Sequence, residues 1–155
     1  MEVTRLTIKE FDRWQDRIAF LIKEAVVVNF PDNMPEETYY TDSIQNLKAY
    51  IEENNAIVFI CIDEDNIRGM AWCHTIQRFN KRRLHIASIA VMPSCRNLGV
   101  GKKLLKEIEN YASNHSYSGI DLLVTASNTS AVCFYQNNGF ETERLLMKKE
   151  IKNDN

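Results

Sequence analysis

Between residues 84 and 111 the chain changes period within a few positions. Leu84, Ile86, Ile89, Ala90 and Val91 form an apolar run of strand character, Pro93 follows it, and two of the chain's five glycines then fall in Arg96-Asn97-Leu98-Gly99-Val100-Gly101. From Val100 onward apolar residues recur at Leu104, Leu105, Ile108 and Tyr111, the spacing of one helix face. Strand, glycine turn and helix in that order build an anion site. A helix start presents backbone N–H groups without acceptors and the positive end of its dipole. Glycines let a ligand come close to the backbone. Two nucleotide patterns fail on the residues: a Walker A loop would need glycine where Arg96 stands and Ser or Thr where Lys103 stands, and a dinucleotide fingerprint would need glycine at Leu104.

A second pattern lies downstream in Asn128, Ala131, Phe134, Tyr135, Gly139 and Phe140. Ser127 or Asn128 can cap a helix start. Ala131, Phe134 and Tyr135 then share one face, and Gly139 fits a left-handed helix stop. In this order the two segments resemble motifs A and B of the GCN5-related N-acetyltransferases, Arg/Gln-x-x-Gly-x-Gly/Ala and Asn-x-x-Ala-x-x-Phe-Tyr-x-x-x-Gly-Phe. The resemblance covers roughly residues 56–150, and the first fifty residues match only in layout.

That resemblance implies an acyl-CoA N-acyltransferase fold, a mixed, mainly antiparallel sheet flanked by helices, in which the strands before the two motifs run parallel and splay apart. It implies acetyl-CoA as cosubstrate, bound by Ile89 and Val91 at the strand end, by Arg96, Asn97, Leu98, Gly99, Val100, Gly101 and Lys102 in the loop, and by Asn128 and Tyr135 downstream. Tyr135 is expected to protonate the leaving thiolate, a phenol of pKa about 10 suiting that role. Many relatives carry a carboxylate on the strand before the loop, at positions matching Ala87 and Ser88, and this chain has none there. His85 is the expected general base. Period two puts it on a face with Ala87, Ile89 and Val91, and an imidazole is suited to proton transfer near neutrality. His74, or a water chain helped by Glu36 or Glu37, is the alternative. The expected acceptor is a primary amine on a small molecule or a peptide, received by residues 29–40 and the neighbourhood of Phe79. Asp32, Glu36, Glu37 and Asp42 make the first of these regions acidic. Two other readings remain: a coenzyme-binding sensor or scaffold without turnover, and an acyltransferase with another acyl group or with a hydroxyl or protein acceptor.

Composition narrows the field further. At 155 residues the chain is expected to form one domain, 1–155, with a coenzyme-binding core at about 56–150 and acceptor-shaping helices at about 11–53. A net charge of −2 offers no whole-chain attraction for nucleic acid or membranes. Arg96, Lys102, Lys103 and Lys106 nonetheless gather around the proposed phosphate site. Cys61, Cys73, Cys95 and Cys133 show neither a C-x-x-C pair nor zinc spacing, so no metal is expected, and Cys61 and Cys73 read as core residues. No apolar run reaches the ~18 residues of a membrane span and the N-terminus has no signal-like segment, which points to a cytoplasmic protein. A homodimer is compatible with all of this.

Element by element, Val3, Leu6 and Ile8 suggest a first strand, and helices follow over about 11–28 and 37–53. Strands come next at 56–62, 67–77 and 84–91, then a helix at 97–114, a strand at 120–125, a helix at 128–138 and a last strand at 143–151. Residues 152–155 read as a frayed tail. The order is β-α-α-β-β-β-α-β-α-β.

Overall fold

The computed structural model describes residues 1–151. Two compact units divide at residue 123, the first being Met1–Leu123. The first unit runs β1 (Glu2–Arg5), α1 (Ile8–Asn29), α2 (Glu37–Glu52), β2 (Ile57–Asp63), β3 (Asn66–Arg78), β4 (Lys81–Val91), a 3₁₀ turn (Pro93–Cys95), α3 (Val100–Asn114) and β5 (Ile120–Leu122). The second unit contains α4 (Thr129–Asn137). No helix among the described residues is long and apolar enough to cross a membrane.

Helix α1 buries Phe11, Trp14, Ile18, Leu21 and Ile22, the stripe that its sequence spacing predicts. It starts earlier than that stripe. Thr7 donates its backbone N–H to Glu10 Oε2 at 3.2 Å and its hydroxyl to the same oxygen at 2.7 Å, so a Thr-x-x-Glu box closes the helix start. Ile8, expected in the first strand, therefore opens α1 and β1 ends at Arg5. Helix α2 buries Tyr40 and Leu47.

The sheet has the order β1-β2-β3-β4-β5, antiparallel except for the β4–β5 pair. This is the mixed, mainly antiparallel sheet that the family resemblance implied. Met70 and Ala90 meet α1 and α2 in one apolar cluster, against which Trp72 packs. The opposite face carries Gly69, where an added Cβ would sit 2.8 Å from Val100 Cγ1 of α3. Helix α3 buries Val100, Leu104, Leu105, Ile108 and Ala112. The first unit is thus a three-layer arrangement, with α1 and α2 on one face of the sheet and α3 on the other. Cys61 and Cys73 lie wholly inside, and burial pushes the Cys73 thiol up to about 12, so it stays protonated at neutral pH.

Two bulges interrupt the ladders. In β3–β4, Trp72 faces Ser88 but Cys73 faces Ile86, which leaves Ala87 as an extra residue in β4. In β2–β3 the extra residue is Arg68, between Gly69 opposite Cys61 and Ile67 opposite Ile62. The β4 bulge reverses the alternation of the strand. Arg83, His85, Ser88 and Ala90 pair with Ile76, His74, Trp72 and Met70, which share one face of β3, while Leu84, Ile86, Ile89 and Val91 pair with Thr75, Cys73, Ala71 and Gly69 on the other. The expectation that His85 shares a face with Ala87, Ile89 and Val91 is therefore corrected. Strict period two holds only in an unbulged strand.

In the second unit Asn128 Oδ1 accepts from Ala131 N–H at 3.2 Å, capping α4. Gly139 takes φ +85°. Phe140 N–H bonds Tyr135 C=O and Gly139 N–H bonds Gln136 C=O, both at 3.1 Å, while the Tyr135 and Phe140 rings pack edge to face with centroids 5.5 Å apart. This is a complete Schellman stop with its apolar contact. The strand expected at 143–151 is not formed, for residues 141–151 are exposed and without regular structure. A strand needs a ladder partner, and the charged residues on either side of Leu145, Leu146 and Met147 give the segment no drive to collapse by itself. The tail at 152–155 lies outside the described residues.

Gly69 sets how close α3 lies to the sheet. An alanine Cβ there would also meet Ala90 O at 2.9 Å, and backbone cannot swing aside. Gly69→Ala is expected to lower stability by about 1–3 kcal/mol through overpacking. Urea unfolding measures it, and a variant as stable as the native chain would show that α3 has slack over β3.

Candidate active site

The site is built on the last residues of β4. Among the described residues, pairing with β5 covers Leu84 with Ile120, His85 with Asp121 and Ile86 with Leu122, and it is parallel, as the family resemblance implied. Past Ile86 no strand pairs with that edge of β4 among the described residues. Met92 N–H donates to Arg68 C=O at 2.9 Å, on the β3 side. Alternation along an antiparallel strand then turns the backbone groups of Ala90 toward β3 and those of Ile89 and Val91 toward the unpaired edge.

Beyond that edge the chain turns through Pro93–Cys95 and enters α3 at Gly99, which takes φ +80° and lends no side-chain cap. Asn97 is also left-handed, at φ +62°. The first intrahelical bond runs from Lys103 N–H to Gly99 C=O at 3.0 Å. Val100, Gly101 and Lys102 therefore have no acceptor for their N–H groups inside the helix. Nothing lies within 4 Å of where a Gly99 Cβ would sit, so the loop is open there. Open space, uncapped donors and a positive helix end fit a phosphate group. The basic side chains are less uniformly placed. Lys102 is exposed. Arg96 Nη2, by contrast, lies 3.0 Å from Glu24 Oε2 of α1, and Lys103 Nζ donates to Met1 C=O at 3.2 Å.

The second cluster is on the α1 and α2 face of the sheet. His85 Nδ1 is 2.6 Å from Asp121 Oδ1, and Arg83 Nε is 2.8 Å from Asp121 Oδ2. The His74 and His85 ring centroids are 5.1 Å apart. Burial opposes charge on Asp121, but the hydrogen bonds from His85 and Arg83 outweigh it and hold the carboxyl below its usual range. Asp121 is the residue that sequence reasoning missed. Its signal was a lone carboxylate inside the apolar stretch Ile120-Asp121-Leu122-Leu123. Among the described residues no three His, Cys, Asp or Glu side chains gather to hold a metal ion.

In the second unit the half-buried Tyr135 packs edge to face on Phe134, with ring centroids 5.2 Å apart, and Asn128 serves as the helix cap described above. In the acidic α1–α2 region Glu37 pairs with Lys23 at 2.8 Å. Phe79 stands 82% exposed at the tip of the β3–β4 hairpin.

The profile of the acetyltransferase (GNAT) family matches residues 18–140, and the chain belongs to that family. Over 65 residues it is 45% identical to an uncharacterised N-acetyltransferase of Methanocaldococcus jannaschii, covering 41% of this chain and 42% of that protein. Over 144 residues it is 29% identical to the mycothiol acetyltransferase of Renibacterium salmoninarum, covering 88% of this chain and 41% of that protein. The matched stretch thus spans well under half the length of either relative. A solved tetramutant of a Bacillus halodurans protein has the same fold, with a TM-score of 0.82 at 20% identity, covering 97% of this chain and 100% of that one.

Burial, and next the neighbouring His85, hold the His74 imidazole below its ordinary range, against the smaller pull of Asp121. In the unfolded chain the same ring takes up a proton near pH 6.5. Below that pH the unfolded state binds more protons at this position than the folded state, so this contribution to stability is lost as pH falls. Urea unfolding at pH 7.5 and 5.5 should therefore show a smaller drop for His74→Gln than for the native chain. An equal drop in both would mean that His74 is not held neutral by the fold.

Proposed function

We propose that this chain transfers an acetyl group from acetyl-CoA to a primary amine by direct attack in a ternary complex. The observation that carries the reading is the free edge of β4 at Ile89 and Val91, running into the uncapped glycine start of α3. An edge with unpaired N–H and C=O groups suits a flexible arm that carries amides, and an uncapped helix start suits a pyrophosphate. Family membership supports the same assignment.

The roles follow from the chemistry. Acetyl-CoA, when bound, supplies the acetyl thioester. Ile89 and Val91 hold the coenzyme's amide-bearing arm through their backbone groups. Asn97, Leu98 and Gly99 shape the turn, and Val100, Gly101 and Lys102 meet the pyrophosphate with backbone N–H groups. Lys102 adds charge, and Arg96 can do so by leaving Glu24, since an exposed ion pair is worth only about 0–1 kcal/mol. Asn128 contacts the coenzyme arm, and its cap bond to Ala131 keeps it fixed. His85 takes the proton from the acceptor amine. The amine nitrogen bonds the acetyl carbon, the carbon–sulfur bond breaks, and the Tyr135 hydroxyl gives its proton to the sulfur. Proton transfer of this kind contributes about 10²–10⁴ in rate, and holding both substrates together supplies much of the rest.

Thiol release from acetyl-CoA, measured against a panel of primary amines, tests the reading. Amine-dependent release is expected, and none across the panel would overturn it. Gly99→Glu puts a negative charge and a strained backbone where phosphate sits, so calorimetry should find acetyl-CoA binding severely weakened in a folded variant. Unchanged affinity would remove the phosphate site from this loop. Tyr135→Phe should lower kcat by roughly ten- to a thousandfold, because the lost hydroxyl acts in the transition state. Acetyl-CoA affinity should change by less than about 1 kcal/mol. Full turnover without the phenol would give the acid role to water.

A further inference from the structure

The His85 and Asp121 pair is more specific than a histidine near a carboxylate. Asp121 is clamped from both sides. Arg83 Nε holds Oδ2 at 2.8 Å, Arg83 Nη2 donates to Ile120 C=O at 3.2 Å, and Arg78 Nη1 lies 3.9 Å from the same Oδ2. Gly119 makes room for this, because an added Cβ would sit 2.9 Å from Arg83 Nη1. The carboxylate is left with Oδ1 for one partner, His85 Nδ1 at 2.6 Å. The backbone fixes the pair as well, since His85 and Asp121 are opposite one another in the parallel ladder. An ionised carboxylate only accepts hydrogen bonds, so Nδ1 must carry a proton in either charge state of the ring. When the ring is neutral, Nε2 is then the bare nitrogen.

We propose that Asp121, clamped by Arg83, is a positioning residue that holds His85 in the Nδ1–H tautomer and so presents Nε2 as the proton acceptor for the amine. The proposal rests on the acetyl-transfer reading for its chemistry, though not for its geometry. His74 from β3 and Asp121 from β5 lie against His85, and Arg83 of β4 and Arg78 of β3 lie against the carboxylate. Among the described residues, Asp121 is the acceptor within hydrogen-bond distance of His85 Nδ1. Arg83 and Arg78 only donate, and His74 meets His85 as ring against ring.

Nitrogen-15 chemical shifts of the histidine rings, read in the neutral form at the high-pH end of a titration, give the tautomer directly. In the native chain His85 is expected to be mainly Nδ1–H. In Asp121→Asn the amide can turn its NH₂ toward the ring, so His85 should shift to Nε2–H. The same variant should lose roughly ten- to a thousandfold in kcat while its acetyl-CoA dissociation constant stays within twofold of native, because the tautomer serves proton transfer and not coenzyme binding. A native His85 that is mainly Nε2–H overturns the proposal whether or not the variant folds. So does a folded Asp121→Asn whose tautomer is native. If no amine is acetylated by the native chain, the acetyl-transfer reading fails by itself, and the ring shifts still decide whether Asp121 holds His85.

Discussion

Ala87 has no partner of its own on β3, and that one extra residue orders most of the site. Before it, even-numbered side chains of β4 face α3; after it, odd-numbered ones do. His85 is thereby moved to the face of His74 and Ser88, while Ile89 and Val91 keep their side chains toward α3. The pairing of β4 with β5 ends at Ile86, immediately before the bulge. Past the bulge, Ile89 and Val91 have no strand partner on that edge among the described residues, and before it His85 lies beside Asp121.

The helix that follows depends on two glycines with different duties. Gly69 lets Val100 lie against β3, where any side chain would collide with backbone. Gly99 meets nothing and is needed for its left-handed φ, which turns the chain from the 3₁₀ segment into α3. The first brings the helix close to the sheet, and the second leaves its start without a capping side chain. Together they place unpartnered N–H donors just past the end of β4. A Ser or Asp cap in place of Gly99 would satisfy one of those donors internally and compete with any bound anion.

Much of this was legible in the sequence because it is local. The stripe of α1, the hairpin between β3 and β4, the glycine entry to α3 and the Schellman stop at Gly139 all follow from spacing and turn chemistry within a few residues. The Thr7 to Glu10 box was equally local and marks the true start of α1. The bulge was not legible, since nothing in Ile86-Ala87-Ser88 says which residue the ladder will skip, and one skipped residue reverses the face of everything before it. Nor was the partnership of His85 with Asp121, which lies 36 residues away in the chain and exists only because β4 and β5 are parallel neighbours. The strand expected at 143–151 failed for a related reason: apolar content signals that a segment can pair, and the partner is a property of the fold.

The family resemblance implies, for many relatives, a carboxylate at the positions of Ala87 and Ser88, and here both residues are small and uncharged. A carboxylate sits one strand over, at Asp121, where hydrogen bonds from His85 and Arg83 favour its charged form against partial burial. A carboxylate so engaged is a poor base toward an amine, because the hydrogen bonds it accepts favour its charged form. It acts, on the proposed reading, through His85, whose Nδ1 it holds while Nε2 faces the amine. On the proposed reading the proton-accepting atom has passed from a carboxylate oxygen to an imidazole nitrogen. The bulge at Ala87 puts His85 on the face opposite to Ile89 and Val91, and on that face it meets Asp121.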